Sequence, residues 1–337
     1  MSKLTYKVKH DRDFSIELSK ALKIANFSLR NRNSLSSKYV KHIGLSAAIS
    51  NQILRKYGKN KTCKKIHKIK LIVPGQSIQH KDNNLYISCL KLYIPFNKPV
   101  EKICQIELDN TYAYICCEIK DQDLINPVGF IGIDLNATGH IAVCSIDSKI
   151  LKLGKKAHHT HEKYKSIRKT AQKQLKYNFI RKLKNRESRI TKDLNHKISR
   201  KVVNLAKENN YGIKLEKLTG IRRKKQGKRL NAIKSNWSFY QLQKFIEYKA
   251  KLLGLTVNYI DPRFTSQKCS RCGLIGLRES KKFMCLSCRH VDHADANAAF
   301  NIAQSLTLGQ LAVDRDAVNS QTDMAEVAMG IKRVINV

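Results

Sequence analysis

The chain has 337 residues, which is long enough to bury at least one full core and is typical of two domains. Its 65 Lys and Arg residues outnumber its 26 Asp and Glu residues, and the formal net charge of +39 predicts a polyanionic partner. No apolar run reaches the ~20 residues that span a bilayer, and the N-terminal MSKLTYKVKH lacks the apolar stretch of a signal peptide. We therefore expect nucleic acid rather than a membrane as the partner. We also expect a cytoplasmic, nucleoid-associated protein whose cysteines are thiols or metal ligands rather than disulfides.

The N-terminal part of the chain changes from a helical to a strand-like pattern. Residues 12–59 repeat apolar side chains at helical spacing, which predicts two amphipathic helices in a small helical lobe; the positions are Phe14, Leu18, Leu22 and Ile24, then Leu45, Ala48, Ile49, Ile53 and Leu54. The following residues contain the short runs KIKLIV, LYISCLKLYI, KICQIEL and YAYICCEI between turn signals. Residues 60–127, together with 1–11, are therefore predicted to form a small β-barrel or sheet.

A second domain is predicted to begin near Pro127. The apolar run VGFIGIDL, the turn NATG and the run HIAVCSID predict a β-hairpin. Residues 161–209 carry dense Lys and Arg over an apolar i, i+4 stripe, which predicts long basic helices. The strand-like YGIKLEKL, a helix over 238–253, the strand-like LTVNYI and a last helix over 295–305 follow. The whole pattern indicates a multidomain chain of α/β and α+β class.

Four of the ten cysteines form two C-x-x-C pairs, Cys269 with Cys272 and Cys285 with Cys288. Each pair can place two thiolates on one tight turn, and two such turns complete a tetrahedral zinc site. Because protein ligands fill all four positions, we predict one structural Zn²⁺ without an open position for water. Packed or redox-active cysteines are the alternative. The other six cysteines have no such spacing and are interpreted as ordinary thiols.

Three acidic residues lie where an unpaired carboxylate is costly. Asp134 ends an apolar strand, Glu216 lies in the strand IKLEKL, and Asp295 starts a helix with Ala298, Ala299 and Ile302 on its packed face. Converging carboxylates of this kind suit phosphodiester hydrolysis with two Mg²⁺ ions, which prefer hard oxygen ligands. Each acid also has an ordinary explanation. Asp134 can cap a turn with Asn136, Glu216 can pair with Lys214 at the surface, and Asp295 can be a helix N-cap.

Several segments resemble one known family. They are GIDLNATG around Asp134, IKLEKL around Glu216, WSFYQLQKFIEYKAKLLG from Trp237 to Gly254, and DPRFTSQKCSRCG with CLSC and HADANAAFNI, which ends at Ile302. They span residues 128–302 in the same order as in the TnpB family of transposon-encoded RNA-guided nucleases, relatives of the compact type V CRISPR effectors, and the segment from the cysteines to DANAA is the most specific. One departure is Arg289, which follows Cys288 where relatives usually have glycine, so a strained or differently shaped turn is predicted there.

The resemblance implies a fold, a site and partners. Residues 1–127 would supply a recognition helical lobe and a wedge-type β-barrel, and residues 128–305 an RNase H-like (RuvC) nuclease domain with a zinc ribbon inserted at 265–290; no role is assigned to residues 306–337. Asp134, Glu216 and Asp295 would form the catalytic triad. Asp292 is the alternative third ligand, but Asp295 is preferred because it matches the D-x-N-A-A position and shares its helix face with Ala299 and Ile302. A guide RNA would direct cleavage of a double-stranded DNA target next to a short flanking motif.

Basic and histidine-rich segments complete the candidate sites. Arg222, Arg223, Lys224 and Lys225 follow Gly220 without apolar spacing, so they are predicted to form a loop that contacts the phosphate backbone, although such a run is commonly a solvated surface. His158, His159 and His161 lack an accompanying acid or cysteine and are interpreted as solvated rather than as metal ligands.

Three functions remain open at this point. The first is an RNA-guided DNA endonuclease. The second is a nuclease-inactive RNA-guided DNA-binding repressor or a compact CRISPR effector. The third, a basic zinc-ribbon protein of transcription or ribosome assembly, leaves the three carboxylates unexplained.

Overall fold

A computed structural model of the chain describes residues 2–60, 62–63, 65–136, 139–183, 185–218 and 239–306. The chain has a mixed α/β fold and divides into two compact units between Asp121 and Gln122, whereas the sequence placed the boundary near Pro127. Within the described ranges, no helix is both long and apolar enough to cross a membrane.

The first unit contains the two predicted amphipathic helices. They are α1 (Ser15–Arg30) and α2 (Ala47–Gly58), joined through a 3-10 turn at Ser37–Ile43. Ile24 of α1 and Ile49 and Ile53 of α2 are fully buried, because their helical spacing places them on the faces that meet the core. This prediction is confirmed.

The strands of the first unit form two separate antiparallel sheets. One has the order β1-β7-β6-β2 and the other the order β3-β4-β5. Their bounds are β1 (Ser2–Lys9), β2 (Leu71–Pro74), β3 (Ile78–Lys81), β4 (Asn84–Ile87), β5 (Leu92–Pro95), β6 (Lys102–Leu108) and β7 (Tyr112–Ile119). The run LYISCLKLYI is not one strand as its pattern indicated. A 3-10 turn at Ser88–Leu90 and a left-handed Lys91 (φ +47°) fold it into the paired strands β4 and β5.

The second unit is built on a five-stranded sheet. Its strands are β8 (Gly129–Leu135), β9 (Ala142–Ile146), β10 (Lys149–Leu153), β11 (Tyr211–Glu216) and β12 (Val257–Ile260). The order is β10-β9-β8-β11-β12, with antiparallel pairing among the first three strands and parallel pairing of β8 with β11 and of β11 with β12. The hairpin predicted around NATG is confirmed as β8 and β9.

The helices of the second unit follow the predicted places with one difference. The long basic segment forms three helices, α3 (Lys155–Lys173), α4 (Tyr177–Leu183) and α5 (Arg186–Glu208), because a left-handed Leu175 (φ +53°) interrupts the first part. The helices α6 (Phe239–Leu252) and α7 (Ala294–Gln304) are as predicted. Between β12 and α7 lies a small antiparallel sheet of β13 (Leu277–Glu279), β14 (Lys282–Met284) and β15 (Val291–His293).

The two faces of the five-stranded sheet differ in chemistry. Alternate residues such as Ile131, Ile133 and Leu215 pack with α5 and α6 in one apolar core. The opposite face carries Gly132, Asp134 and Glu216 and is covered by α7, which packs on β8, β9 and β11. The candidate acids therefore lie on the polar side of a sheet whose other side forms the core.

Candidate active site and cysteine cluster

Asp134 lies near the C-terminal end of β8, one residue before the strand ends. The Asn136 side chain donates a hydrogen bond of 2.8 Å to its Oδ2, which is the partner that the turn-capping alternative named. Burial raises the pKa of Asp134 to about 7, and the neighbouring carboxylates Glu216 and Asp295 add to that rise. Glu216 and Asp295 therefore lie close enough to Asp134 to act on its charge.

Glu216 is the last residue of β11, the strand that pairs directly with β8. The Thr265 hydroxyl donates a hydrogen bond of 2.6 Å to its Oε1, and burial raises its pKa. The alternative surface pair with Lys214 is wrong. Lys214 is itself buried, and its ammonium donates to the carbonyl oxygens of Ala303 and Ser305 at 2.9 and 2.8 Å.

Asp295 is the second residue of α7, and its side chain is only 3% exposed. The Lys281 ammonium lies 2.9 and 2.6 Å from its two carboxylate oxygens, and the Arg278 guanidinium lies 3.5 Å from Oδ1. The N-cap alternative for Asp295 is wrong, because His293 is the N-cap and its Nδ1 accepts from the Asp295 backbone N–H at 3.3 Å.

Asp292, the alternative third acid, has a different environment. It lies in β15, its side chain is 30% exposed, and its Oδ2 is 3.8 Å from Nε2 of His290. Asp295, and not Asp292, is among the groups that raise the pKa of Asp134. This electrostatic contact favours Asp295 as the third member of the acid cluster, the name used below for Asp134, Glu216 and Asp295.

Arg278 and Lys281 were not singled out in the sequence. Arg278 lies in β13, and its charge opposes the rise in pKa at both Asp134 and Glu216. Lys281 follows in the turn before β14 and holds Asp295. The available signal was a pair of basic residues in the short stretch between the two C-x-x-C pairs. The acid cluster is thus completed by two cations from the cysteine-bearing segment.

The four cysteines come together as their spacing predicts. The Sγ atoms of Cys269 and Cys288 are 3.6 Å apart, those of Cys272 and Cys285 are 3.5 Å apart, and all four lie within 4.8 Å of one another. A tetrahedral metal with ~2.3 Å bonds to sulfur requires about 3.8 Å between sulfurs, so the cluster can hold one such ion. Within the described ranges this is the one set of three or more ligand atoms gathered so closely, and the acid cluster is spaced more widely.

Backbone N–H groups are directed at two of the four sulfurs. The backbone N–H of Arg271 points at Cys269 Sγ at 3.4 Å, and that of Cys288 at Cys285 Sγ at 3.5 Å. The Cys288 N–H lowers the pKa of the Cys285 thiol to about 6, whereas the pKa values of the neighbouring Cys272 and Cys288 thiols are raised. Gly273 after the first pair has φ +75°, and Arg289 takes the matching place after the second with φ +56°. The strained turn predicted at Arg289 is confirmed.

Two asparagines join this segment to α7. Asn297 is fully buried; its Oδ1 accepts from the Ser270 N–H at 2.9 Å, and its Nδ2 donates to the Lys268 carbonyl at 2.7 Å. Asn301 donates to the carbonyls of Thr265 and Lys268 at 2.8 and 2.7 Å. The asparagine of the DANAA motif therefore fixes the first cysteine turn on the helix that carries Asp295.

The remaining candidate residues lie elsewhere. Arg222, Arg223, Lys224 and Lys225 fall outside the described residues. His161 belongs to α3, where its Nδ1 is 2.8 Å from Glu187 Oε1 of α5, and Arg168 also pairs with Glu187. This histidine therefore holds two helices together. Cys117 and Cys144 are buried core residues, as their apolar surroundings indicated.

Comparison with known proteins gives the family. A TnpB-like protein of Methanocaldococcus jannaschii is 32% identical over 201 residues, which cover 55% of this chain and 72% of that protein. The chain belongs to the TnpB-like family. Residues 239–302, which contain α6, the cysteine segment and most of α7, match the family described as Cas12f1-like, TNB domain.

Relatives of the TnpB-like family with longer chains match over shorter regions. The CRISPR-associated endodeoxyribonuclease Cas12f1 of Sulfoacidibacillus thermotolerans is 41% identical over 128 residues, which cover 37% of this chain and 29% of that protein. A cryo-EM structure of a Cas12f1–sgRNA–target DNA complex is 19% identical and aligns with 90% of this chain and 99% of that chain, with a TM-score of 0.45.

Proposed function

We propose that this chain is an RNA-guided DNA endonuclease with an RNase H-like (RuvC) active site, formed by Asp134, Glu216 and Asp295. The observation that carries the proposal is the convergence of three carboxylates, which two adjacent strands and one helix supply and of which Glu216 and Asp295 both raise the pKa of Asp134. The strand order of the second unit, with an antiparallel hairpin continued by parallel strands, supports the RNase H-like fold. The name endodeoxyribonuclease given to several relatives agrees with this chemistry.

The residues of the acid cluster fit divalent metal ions. Burial raises the pKa values of Asp134 and Glu216, a divalent cation beside them would lower these values, and carboxylate oxygens are the ligands that Mg²⁺ prefers. When bound, two Mg²⁺ ions would activate a water molecule and stabilise the leaving oxygen of the phosphodiester. The chain's own contribution is to hold the carboxylates in place. Asn136 orients Asp134, Thr265 orients Glu216, and Arg278 supplies positive charge beside the site.

A structural Zn²⁺ in the four cysteines forms part of the proposal. The sulfur spacing, the N–H groups directed at two sulfurs and the lowered pKa of Cys285 support a thiolate site. Arg278 and Lys281 lie between the two cysteine pairs. The metal site would therefore position Arg278 and Lys281 beside the acid cluster without contacting substrate.

Guide RNA and target DNA are the proposed partners. The net charge of +39 supports a polyanion. A groove in the second unit is lined by the cationic side chains Lys197, Arg200 and Lys201 of α5, with Tyr248 of α6 beside them. Such a surface grips a phosphate backbone without reading sequence. We further propose that residues 1–127 act as recognition and wedge regions, and that the loop 222–225 contacts the backbone.

The acid cluster is tested by Asp134→Ala, Glu216→Ala and Asp295→Ala. Each should reduce Mg²⁺-dependent cleavage of a matched DNA target by at least ~10³-fold and leave binding of nucleic acid within a few-fold. Asp292→Ala and Asp193→Ala, the latter an exposed acid of α5, serve as controls and should cut normally. Normal cleavage by Asp295→Ala together with loss in Asp292→Ala would reassign the third ligand.

The guide is tested with the RNA that copurifies with the protein. The untreated preparation should cut a DNA site that matches this RNA, and mismatches near the flanking motif should reduce cleavage most. Nuclease-treated protein should bind DNA without sequence preference, and its affinity for DNA should fall steeply as the salt concentration rises. Equal cleavage before and after treatment would contradict the guided function. Guided binding without cleavage by the wild-type chain would instead favour the nuclease-inactive repressor.

A further inference from the structure

Three residues in one row across the sheet form the seat of α7. Gly132 of β8 pairs in register with Ser145 of β9 on one side and with Lys214 of β11 on the other. Because residues in register share a face, all three point toward α7. This set is called the seating row below.

Each member of the seating row meets the backbone of α7. The Ser145 hydroxyl donates a hydrogen bond of 2.8 Å to the Ala299 carbonyl. A Cβ added to Gly132 would overlap Ala299 O and Ala303 N and would lie 3.0 Å from Ala303 Cα. Lys214 donates to the carbonyls of Ala303 and Ser305, which have no partner within a helix that ends there. The seating row therefore fixes both the distance of α7 from the sheet and the position of α7 along its own axis.

The seating row and the acid cluster are separated by nearly the same distance along the strands and along α7. Asp134 and Glu216 lie two residues beyond Gly132 and Lys214 on their strands, a distance of about 6.6 Å. Asp295 lies four residues before Ala299 on the helix, a distance of about 6 Å on the same face. One helical turn thus matches two strand residues, so a helix seated at Ala299 carries Asp295 to the level of the other two acids.

We infer that Gly132, Ser145 and Lys214 are positioning residues that set where Asp295 lies relative to Asp134 and Glu216. The inference rests on the proposed function, since it concerns the geometry of the same acid cluster. A shift of α7 by a fraction of a turn would move Asp295 away from the other acids without removing any carboxylate. Lys214 is buried at the C-terminal end of α7, and its ammonium also lies 4.4 Å from the ring centre of Phe130.

The first test compares Gly132→Ala with Gly129→Ala in the same strand. The three atoms nearest to a Cβ at Gly129 all belong to the Tyr211 side chain, at 3.0 to 3.2 Å, and this side chain can move aside. Mn²⁺ affinity of the full chain, measured by electron paramagnetic resonance, should fall about tenfold or more in Gly132→Ala, the range found when residues that orient metal ligands are lost, and should stay within about twofold in Gly129→Ala. The value of kcat should fall with it, while KM for DNA and zinc content should not change.

A second pair covers the case in which Gly132→Ala fails to fold. Lys214→Met keeps the buried stem and removes the two carbonyl contacts, Lys214→Arg restores donors, and Lys217→Met changes an exposed lysine just after β11. Mn²⁺ affinity should fall in Lys214→Met, recover at least in part in Lys214→Arg and remain unchanged in Lys217→Met.

A double-mutant cycle separates positioning from general stability. If the row acts through Asp295, Gly132→Ala should cause no further loss of Mn²⁺ affinity in an Asp295→Asn background, whereas a merely structural role would give additive losses. Additive losses, or wild-type Mn²⁺ affinity in both Gly132→Ala and Lys214→Met, would overturn the inference and leave the nuclease proposal intact. If Asp295→Asn binds Mn²⁺ as tightly as the wild type does, both the inference and the nuclease proposal are overturned.

Discussion

The cysteine cluster and the acid cluster are two candidate metal sites built in opposite ways. The cysteines all fall within residues 269–288 and rest on a small core of Cys269, Phe283, Cys285 and Ala294. The acids span residues 134–295 and rest on a five-stranded sheet with a large apolar core. We therefore expect the cysteine segment to need the proposed ion in order to fold, whereas the acid cluster is held by a fold that forms despite repulsion among carboxylates.

Loss of the ion from the cysteines should have the largest effect. Cys285→Ser removes one of four ligands, and structural zinc supplies roughly 10–16 kcal/mol of apparent binding free energy in small metal-dependent folds. Zinc content should drop from about one per chain toward zero, and hydrogen exchange should lose protection over residues 265–293 but not over β8 and β11. Cleavage should fall as well, because Arg278 and Lys281 lose their placement. If residues 265–293 stay protected from exchange in zinc-free protein, the cysteine segment does not need an ion in order to fold.

The next effect concerns the contact between the two clusters. Arg278→Ala should reduce cleavage about 10- to 100-fold, because its charge lowers the pKa of Asp134 and Glu216 and it lies 3.5 Å from Asp295. Arg271→Ala, which changes an exposed arginine inside the first cysteine pair, is the control and should cut within about threefold of wild type. Equal losses in both variants would mean that only overall charge matters.

A smaller effect is expected in stability against pH. Burial and Glu216 raise the pKa of Asp134 to about 7, above its value in an unfolded chain. Such a group stabilises the fold at low pH and loses this stabilisation as the pH rises through about 7. In Mg²⁺-free buffer, the free energy of unfolding of wild type should therefore decline between about pH 5 and pH 8, by roughly 1–3 kcal/mol more than that of Asp134→Asn.

The same measurement has a control and a reversal. Asp193→Asn alters an acid that is 61% exposed and should follow the wild-type curve. Adding Mg²⁺ should restore wild-type stability at high pH, since the ions offset the repulsion. An Asp134→Asn variant with the same pH profile as wild type would show that Asp134 is not the group that titrates.

The smallest effect concerns the turn after the second cysteine pair. Arg289→Gly places glycine in a left-handed position that costs a non-glycine residue roughly 1 kcal/mol. The variant should raise the thermal midpoint of the zinc-loaded cysteine segment by a few degrees and leave zinc stoichiometry unchanged. Gly273→Ala, the reverse change at the matching turn, should lower it. No shift in either variant would mean that these turns carry no strain.

More of the cysteine cluster than of the acid cluster could be predicted from the sequence. The cysteine site depends on local spacing, so two C-x-x-C pairs were enough to place it. Asp295 was favoured over Asp292 by its helix face, and the electrostatic contact with Asp134 agrees. Arg278 and Lys281 could not be placed, because their contact with Asp295 depends on how the hairpin of β13 and β14 folds back on α7.

The fold shows the same limit. Periodicity predicted α1, α2, α5, α6 and the hairpin of β8 and β9, since each buries one continuous face. The break in LYISCLKLYI and the break after α3 were missed because Lys91 and Leu175 adopt left-handed conformations without the glycine or asparagine that normally announces them. Three-dimensional neighbours, rather than local preference, decide such positions.

The asparagine contacts between the cysteine segment and α7 also bear on the order in which the molecule assembles. Asp134, Glu216 and Asp295 are all carried by the sheet and the helix seated on it, whereas Arg278 and Lys281 belong to a segment that Asn297 and Asn301 tie to α7 and that waits for the proposed ion. A newly synthesised chain in a zinc-poor cell should therefore reach a state with its sheet and α7 in place but Arg278 and Lys281 not yet beside Asp295. Such a chain would bind nucleic acid before it could cleave it efficiently. The supply of Zn²⁺ would then determine when the Mg²⁺-dependent cleavage begins.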